Sequence, residues 1–442
     1  MGNATVDFGK IIGRMKPMHS VNNGPIYDQR PDLHIVNLED YRAAGIPYAR
    51  THDASLCYAY GGEHTVDTAA IFPDFEKDPY DPASYDFCLT DEYLQTIRLA
   101  GTQPFYRLGS KIEHWPKKYT TLPPADFHKW AVICEHIIKH YNEGWADGFH
   151  MGIEYWEIWN EPDLDPDDSD NKRCWGGTAK EYYALYVITA THLKQVFPSL
   201  KIGGPACAGI HVDWLKGFFE RIGTAVPFDF FSWHCYTSNP RVIAQNSVLV
   251  RQLLDENGYT ETESILNEWN YVAGWEEKFR LSIETILGLK GAAFTSAVLC
   301  EGQRAPLDML MYYDASPCAF NGLFEAYTLR KLKGYYPFLM FRTLYELQTC
   351  VEACADMDSL YLCAAGSENA GAVMLTYFDD DGAAPPELTF LLHLKGIPDG
   401  TVCEYYLLDE EHDMALVKKE PYYAPATVTI GLYHSILVKI GQ

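Results

Sequence analysis

Hydrophobic positions follow two different periods along the chain. From about Ile11 to Leu323, short β-branched or aromatic runs alternate with stretches whose apolar residues recur at helical spacing. Such alternation predicts a parallel sheet covered by helices. Eight runs read as strands: Ile11–His19, Ile46–Asp53, Gln103–Leu108, Tyr155–Glu161, Lys201–Pro205, Phe228–Tyr236, Ile265–Tyr271 and Met309–Asp314. Eight is the number that closes a (β/α)₈ barrel. Between them, Phe127, Trp130, Ala131, Cys134, Ile137, Ile138 and Tyr141 stand at helical spacing after Asp126, with Gly144 as the stop. Further helices are expected from about Thr178 to Val196, ending before Pro198, and from Ser282 to Gly291.

After Lys333 the runs become short and alternating: Leu360–Ala364, Ala372–Tyr377, Leu388–Leu392, Cys403–Leu408 and Val428–Ile440. Turn residues such as Asp381-Gly382 and Pro398-Asp399-Gly400 separate them. The fold expected is therefore of the α/β class, a TIM barrel over residues 10–332 followed by an antiparallel β-sandwich over 333–442. Residues 1–9, with a strand-like Thr5–Gly9, are placed with the sandwich.

Composition narrows the function. The 442 residues suit a barrel plus a small second domain, and 47% hydrophobic residues supply its cores. A formal net charge of −25 disfavours nucleic acid and anionic membranes as partners. No apolar run is long enough to span a bilayer, and the opening residues lack the basic and apolar segments of a signal peptide. The 12 cysteines are scattered, so reduced thiols and a cytoplasmic location are expected. Homo-oligomerisation is left open. No His-Glu-x-x-His, phosphate-cradling loop or dinucleotide fingerprint occurs, so neither a metal nor a cofactor is expected. The acidic run Asp163 to Asp170 begins like a calcium loop, but Asp168 stands in place of the turn glycine. It reads as a solvated loop.

Polar residues at the carboxyl ends of barrel strands are where chemistry is expected. Tyr155-Trp156-Glu157-Ile158-Trp159-Asn160-Glu161 ends on an Asn-Glu pair, and so does Ile265-Leu266-Asn267-Glu268. Two glutamates on the fourth and seventh strands face each other across the barrel mouth. Acetal hydrolysis needs such a pair, one to protonate the leaving oxygen and one to meet the developing cationic carbon. Arg50 and His52 share one face of the second strand by their spacing, as do His234 and Tyr236 on the sixth. Asn160 and Glu161 are neighbours, so a local kink must turn both toward a substrate.

These motifs resemble the retaining glycosidases of clan A, and within them glycoside hydrolase family 39, the family of β-xylosidases and α-L-iduronidases. The likeness rests on Arg50-x-His52, Trp159-Asn160-Glu161-Pro162, His234-x-Tyr236 and the seventh-strand Glu268. It implies that Glu161 is the general acid/base and Glu268 the nucleophile. It implies further that Asn160 contacts the sugar 2-hydroxyl, that Arg50 and Tyr236 hold Glu268, and that His52 and His234 meet sugar hydroxyls. Relatives carry a tryptophan on strand eight, where this chain has Met311-Tyr312-Tyr313, so Tyr313 is the expected floor. Glu325 and Trp269 are added as substrate contacts. The activity implied is exo-acting removal of a terminal sugar from an oligosaccharide or glycoside, β-xylosidase first.

Plainer readings stand beside these. Either glutamate alone could be a surface carboxylate at a loop start, and Arg50 a simple salt-bridge partner. Trp115, Trp269 and Trp275 could each be packing residues or sugar platforms. β-Galactosidase, β-glucosidase, arabinosidase and α-L-iduronidase activities fit the same motifs, and so does a catalytically silent sugar-binding barrel. A metal-dependent barrel hydrolase lacks its ligand cluster.

Overall fold

The structure, a computed structural model, describes residues 1–27, 36–52, 64–367 and 370–441. Eight parallel strands close into a barrel: β2 (Ser20–Asn22), β3 (Tyr48–Thr51), β4 (Gln103–Leu108), β5 (Tyr155–Ile158), β6 (Lys201–Cys207), β7 (Phe230–Thr237), β8 (Glu263–Tyr271) and β9 (Met309–Tyr312). β2 pairs with both β3 and β9, which completes the ring. Its lower interior is apolar, filled by Phe105, Tyr155, Phe230, Ile265, Met309 and Met311.

Seven of the eight expected barrel strands overlap those observed. The first does not. Ile11 lies in β1 (Gly2–Arg14), a strand of the second sheet, and the barrel opens instead with the three residues Ser20–Asn22. Asp53, the last residue of the expected second strand, lies outside the described residues.

The helices form where the sequence carries start and stop signals. Phe127–Glu143 begins at Asp126, whose carboxylate accepts from His128 and Lys129 N–H, and ends at Gly144 with φ +77°. Ala179–Val196 opens on a capping box made by Thr178 and Glu181. The helix expected over Ser282–Gly291 is in fact two, Phe279–Ile286 and Leu289–Arg304, because Gly288 takes an extended conformation between them.

The remaining strands are β10 (Thr349–Ala355), β11 (Leu360–Gly366), β12 (Gly371–Tyr377), β13 (Glu387–Lys395), β14 (Val402–Leu408), β15 (Asp413–Pro421), β16 (Ala426–Gly431) and β17 (Ser435–Ile440). With β1 they form one nine-stranded sheet in the order β15-β14-β17-β12-β11-β10-β1-β13-β16. Every pair is antiparallel except β1 with β13. Alternation along β11 serves two interfaces. Tyr361, Cys363 and Ala365 join the barrel's core, while Leu360, Leu362 and Ala364 join the sheet's own. Phe294 on the Leu289–Arg304 helix packs on Phe378 at 5.8 Å, and the Ser296 and Ser435 hydroxyls meet at 3.0 Å. The sheet braces the helical side of the barrel.

Candidate active site

Above the apolar floor the inward-facing positions turn polar. Arg50 follows Tyr48 by two residues and Glu157 follows Tyr155 by two, so both point into the barrel. Arg50 Nε donates to Glu157 Oε2 at 2.7 Å, and Nη1 to Glu268 Oε1 at 2.8 Å and Asn22 Oδ1 at 3.0 Å. Its Nη2 reaches Asn160 Oδ1 at 2.6 Å. Asn267 Nδ2 in turn donates to Glu157 Oε1 at 2.6 Å. Arg50, Glu157, Asn22 and Asn267 are all fully buried. Burial opposes the charge on Arg50, but Glu157 and Glu268 outweigh it and raise its pKa.

Two backbone devices bring adjacent residues to this layer. Trp159 and Glu161 have φ of +76° and +47°, a left-handed conformation rare for residues with a side chain. Gly109 makes room, since a Cβ there would lie 3.1 Å from Trp159 Cα and 2.8 Å from its ring. Trp159 N–H donates to Leu108 O at 2.7 Å and Glu161 N–H to Ala206 O at 2.9 Å. This is the kink that the pattern required. In β8 the pairing steps from Trp233–Leu266 to His234–Glu268, leaving Asn267 as an extra residue. The bulge lets Asn267 and Glu268 both reach inward.

Glu268 is held on both oxygens. Oε1 meets Arg50 and, at 3.2 Å, His52 Nε2; Oε2 accepts from Tyr236 OH at 2.8 Å and lies 3.4 Å from His234 Nδ1. His234 Nδ1 also reaches Glu161 Oε1 at 2.8 Å. A carboxylate oxygen of Glu161, one of Glu268 and a His234 nitrogen all lie within 4.8 Å of one another. Burial would raise the pKa of Glu268, yet His234, His52 with its hydrogen bond, and Arg50 hold it well below the usual carboxylate range. Burial, with Glu268 and Glu161 close by, pushes the Tyr236 phenol well above its ordinary value, so it stays a donor. The spacing of Glu161, His234 and Glu268 is one that could hold a cation. The Arg50 guanidinium already places positive charge there.

One wall of the cleft is aromatic. Tyr313 stands edge-on to His52 at 5.4 Å between ring centroids and 6.4 Å from Tyr236. Phe320 touches Tyr313 and Tyr236, and Trp275, 58% exposed, packs on Tyr236 at 5.2 Å.

Of the expected site residues, Arg50, His52, Asn160, Glu161, His234, Tyr236, Glu268 and Tyr313 come together. Trp269 does not. It follows the inward Glu268 and so faces outward, fully buried against Tyr312 and Phe294. Glu325 does not join them either; its carboxylate accepts the N–H groups of Tyr327 and Thr328 in its own turn. Glu157, Asn22, Asn267, Phe320 and Cys174 complete the cluster without an expected role. A signal existed for Glu157, a charge on the inward face of an otherwise apolar strand. Cys174 arrives from a loop, where no periodicity points to it.

Residues 44–266 match the model of the glycosyl hydrolases family 39, a stretch that carries Arg50, Asn160, Glu161 and His234. The chain belongs to this family. Over 198 residues it is 29% identical to a beta-xylosidase of Geobacillus stearothermophilus, covering 41% of this chain and 36% of that one. A beta-xylosidase of Caldicellulosiruptor saccharolyticus is 29% identical over 167 residues, 35% of this chain and 32% of the relative. The matched part thus spans about a third of each of these curated relatives. The fold is shared more widely. A glucosidase from Croceicoccus marinus superposes with a TM-score of 0.79 at 22% identity, over 100% of this chain and 99% of that one. For a monomeric beta-xylosidase from Caulobacter crescentus CB15 the TM-score is 0.70 at 14% identity, with the same coverage.

Proposed function

We propose that this family 39 chain is a retaining exo-glycosidase acting on oligosaccharides or glycosides, with β-xylosides as its first substrate class. The observation that carries the mechanism is the approach of Glu161 and Glu268 to within 4.8 Å, oxygen to oxygen. Retaining enzymes set their carboxyl groups roughly 5–5.5 Å apart, whereas inverting ones leave ~6.5–9.5 Å for a water.

Glu268 is ionised and fixed by Arg50, His52 and Tyr236, so it is the nucleophile. Glu161 gives a proton to the glycosidic oxygen as Glu268 attacks the anomeric carbon. The C–O bond to the leaving group breaks and an ester to Glu268 forms. Water then attacks that carbon, Glu161 takes its proton, and the carboxylate of Glu268 leaves. Two inversions give net retention. Asn160 has its Oδ1 committed to Arg50, which leaves the amide N–H groups to meet the sugar 2-hydroxyl.

The choice of β-xylosides follows the names of the two bacterial relatives. A panel of aryl β-xyloside, β-glucoside, β-galactoside, α-L-arabinofuranoside and α-L-iduronide tests it, with the first-formed anomer read by proton NMR. Fastest turnover of the xyloside with retained configuration supports the proposal. Another preferred sugar overturns the substrate, and inversion overturns the mechanism.

A further inference from the structure

His234 holds one oxygen of Glu161; the other faces sulfur. Cys174 Sγ lies 3.5 Å from Glu161 Oε2, and the cysteine is 1% exposed. Its loop is clamped on every side. Trp159 Nε1 donates to Cys174 O at 2.8 Å, and Arg173 pairs through backbone and guanidinium with Asp165. Trp175 packs edge-on against Trp159 at 5.0 Å between ring centroids, and Gly176 N–H donates to Thr121 O at 2.8 Å. The sulfur is thus fixed relative to the kinked residues Trp159–Glu161.

A thiol in this place stays a thiol. Burial, together with Glu161 and Glu268, pushes Cys174 well above its ordinary pKa, so the sulfur keeps its proton. An S–H is a weak donor and sulfur a weak acceptor. It therefore favours neither protonation state of a neighbouring carboxyl strongly. A hydroxyl in its place would favour the carboxylate more.

We infer that Cys174 is a positioning residue for Glu161: its S–H holds Oε2 while remaining weak enough to let that carboxyl cycle between acid and base. The inference rests on Glu161 being the acid/base. Among the described residues, the other titratable groups around Glu161 are His234 and Tyr236 from β7, Glu268 from β8, Arg173 beside Cys174, Cys207 at the end of β6 and His211 just after it. All of these side chains are retained when Cys174 is replaced, and Arg173 stays tied to Asp165.

Cys174→Ser and Cys174→Ala provide the test, with kcat/KM followed against pH on a substrate whose leaving group needs protonation. Serine should move the alkaline limb to lower pH by about half a unit, and alanine should move it the other way. Limbs that stay in place, or move in the same direction, would show that Cys174 only fills space. A second readout needs no turnover. The infrared S–H band isolated by subtracting the Cys174→Ala spectrum should lie at lower frequency in the native chain than in Glu161→Ala, where its acceptor is gone. Equal frequencies would overturn the contact. If azide fails to rescue Glu161→Ala while the S–H band still shifts, the acid/base assignment has failed and the contact has not.

Discussion

Arg50 and Glu157 form an ion pair at 2.7 Å with no exposure on either side chain, directly beneath the carboxylate of Glu268. The pair orients the guanidinium so that its remaining N–H groups rise to Glu268 and Asn160. Removing Arg50 would leave Glu157 without its cation. Arg50→Met should cost about 3–5 kcal/mol by leaving Glu157 charged and buried alone. Adding Glu157→Gln should recover most of that stability in urea denaturation but none of the lost kcat, because Glu268 still lacks its cation. Equal stability of single and double variants would refute the pairing.

The depressed pKa of Glu268 has a definite sign in the pH profile. The nucleophile works as a carboxylate, so activity persists as pH falls until that low value is reached. His52→Leu removes the imidazole's hydrogen bond and its electrostatic pull on Glu268. Its pKa should rise, and the acidic limb of kcat/KM should move to higher pH. An acidic limb that stays put would mean that other groups hold Glu268 ionised.

Glu161→Ala should still be glycosylated by an aryl glycoside with an activated leaving group, since that step needs little protonation. Its slow deglycosylation should be rescued by azide entering the vacated space. Glu157→Ala should show no rescue, because Glu157 is sealed beneath Arg50. Rescue of Glu157→Ala instead would place the acid on the wrong residue.

The two tryptophans after the nucleophile should part company. Trp269→Ala empties a buried site behind β8 and should cost about 3–5 kcal/mol. Trp275→Ala, at the exposed rim beside Tyr236, should leave stability within ~0.5 kcal/mol and raise KM roughly fivefold, about 1 kcal/mol of lost contact. Thermal unfolding and steady-state kinetics separate the two.

What could be read from the sequence follows from where the barrel is apolar. Strands such as Gln103–Leu108 and Ile265–Tyr271 announce themselves because their lower inward positions are Phe105 and Ile265. β2 does not, because it is three residues long and both inward positions are polar: Asn22 lies level with Arg50, and Ser20, one layer lower beside Met311, donates to Pro17 O. A stronger apolar run at Ile11–Ile12 drew the expected strand away, although those residues are largely exposed in β1. Glu161 and Glu268 were legible as strand ends. The need for a kink at Asn160 was legible too, but not the left-handed residues that make it, and nothing marked the bulge that brings Asn267 inward. Trp269 shows the converse, since plain alternation from Glu268 places it outside. Glu325 could not be judged without its turn.

The most direct test of the double displacement is to trap its intermediate. A 2-deoxy-2-fluoro xyloside with an activated leaving group should inactivate the protein, because the fluorine slows turnover of the ester more than the leaving group allows its formation to slow. Peptide mass spectrometry should then find one fluoroxylosyl unit on Glu268. A label on Glu161 or Glu157, or turnover of the natural substrate with inversion and no label, would contradict the account.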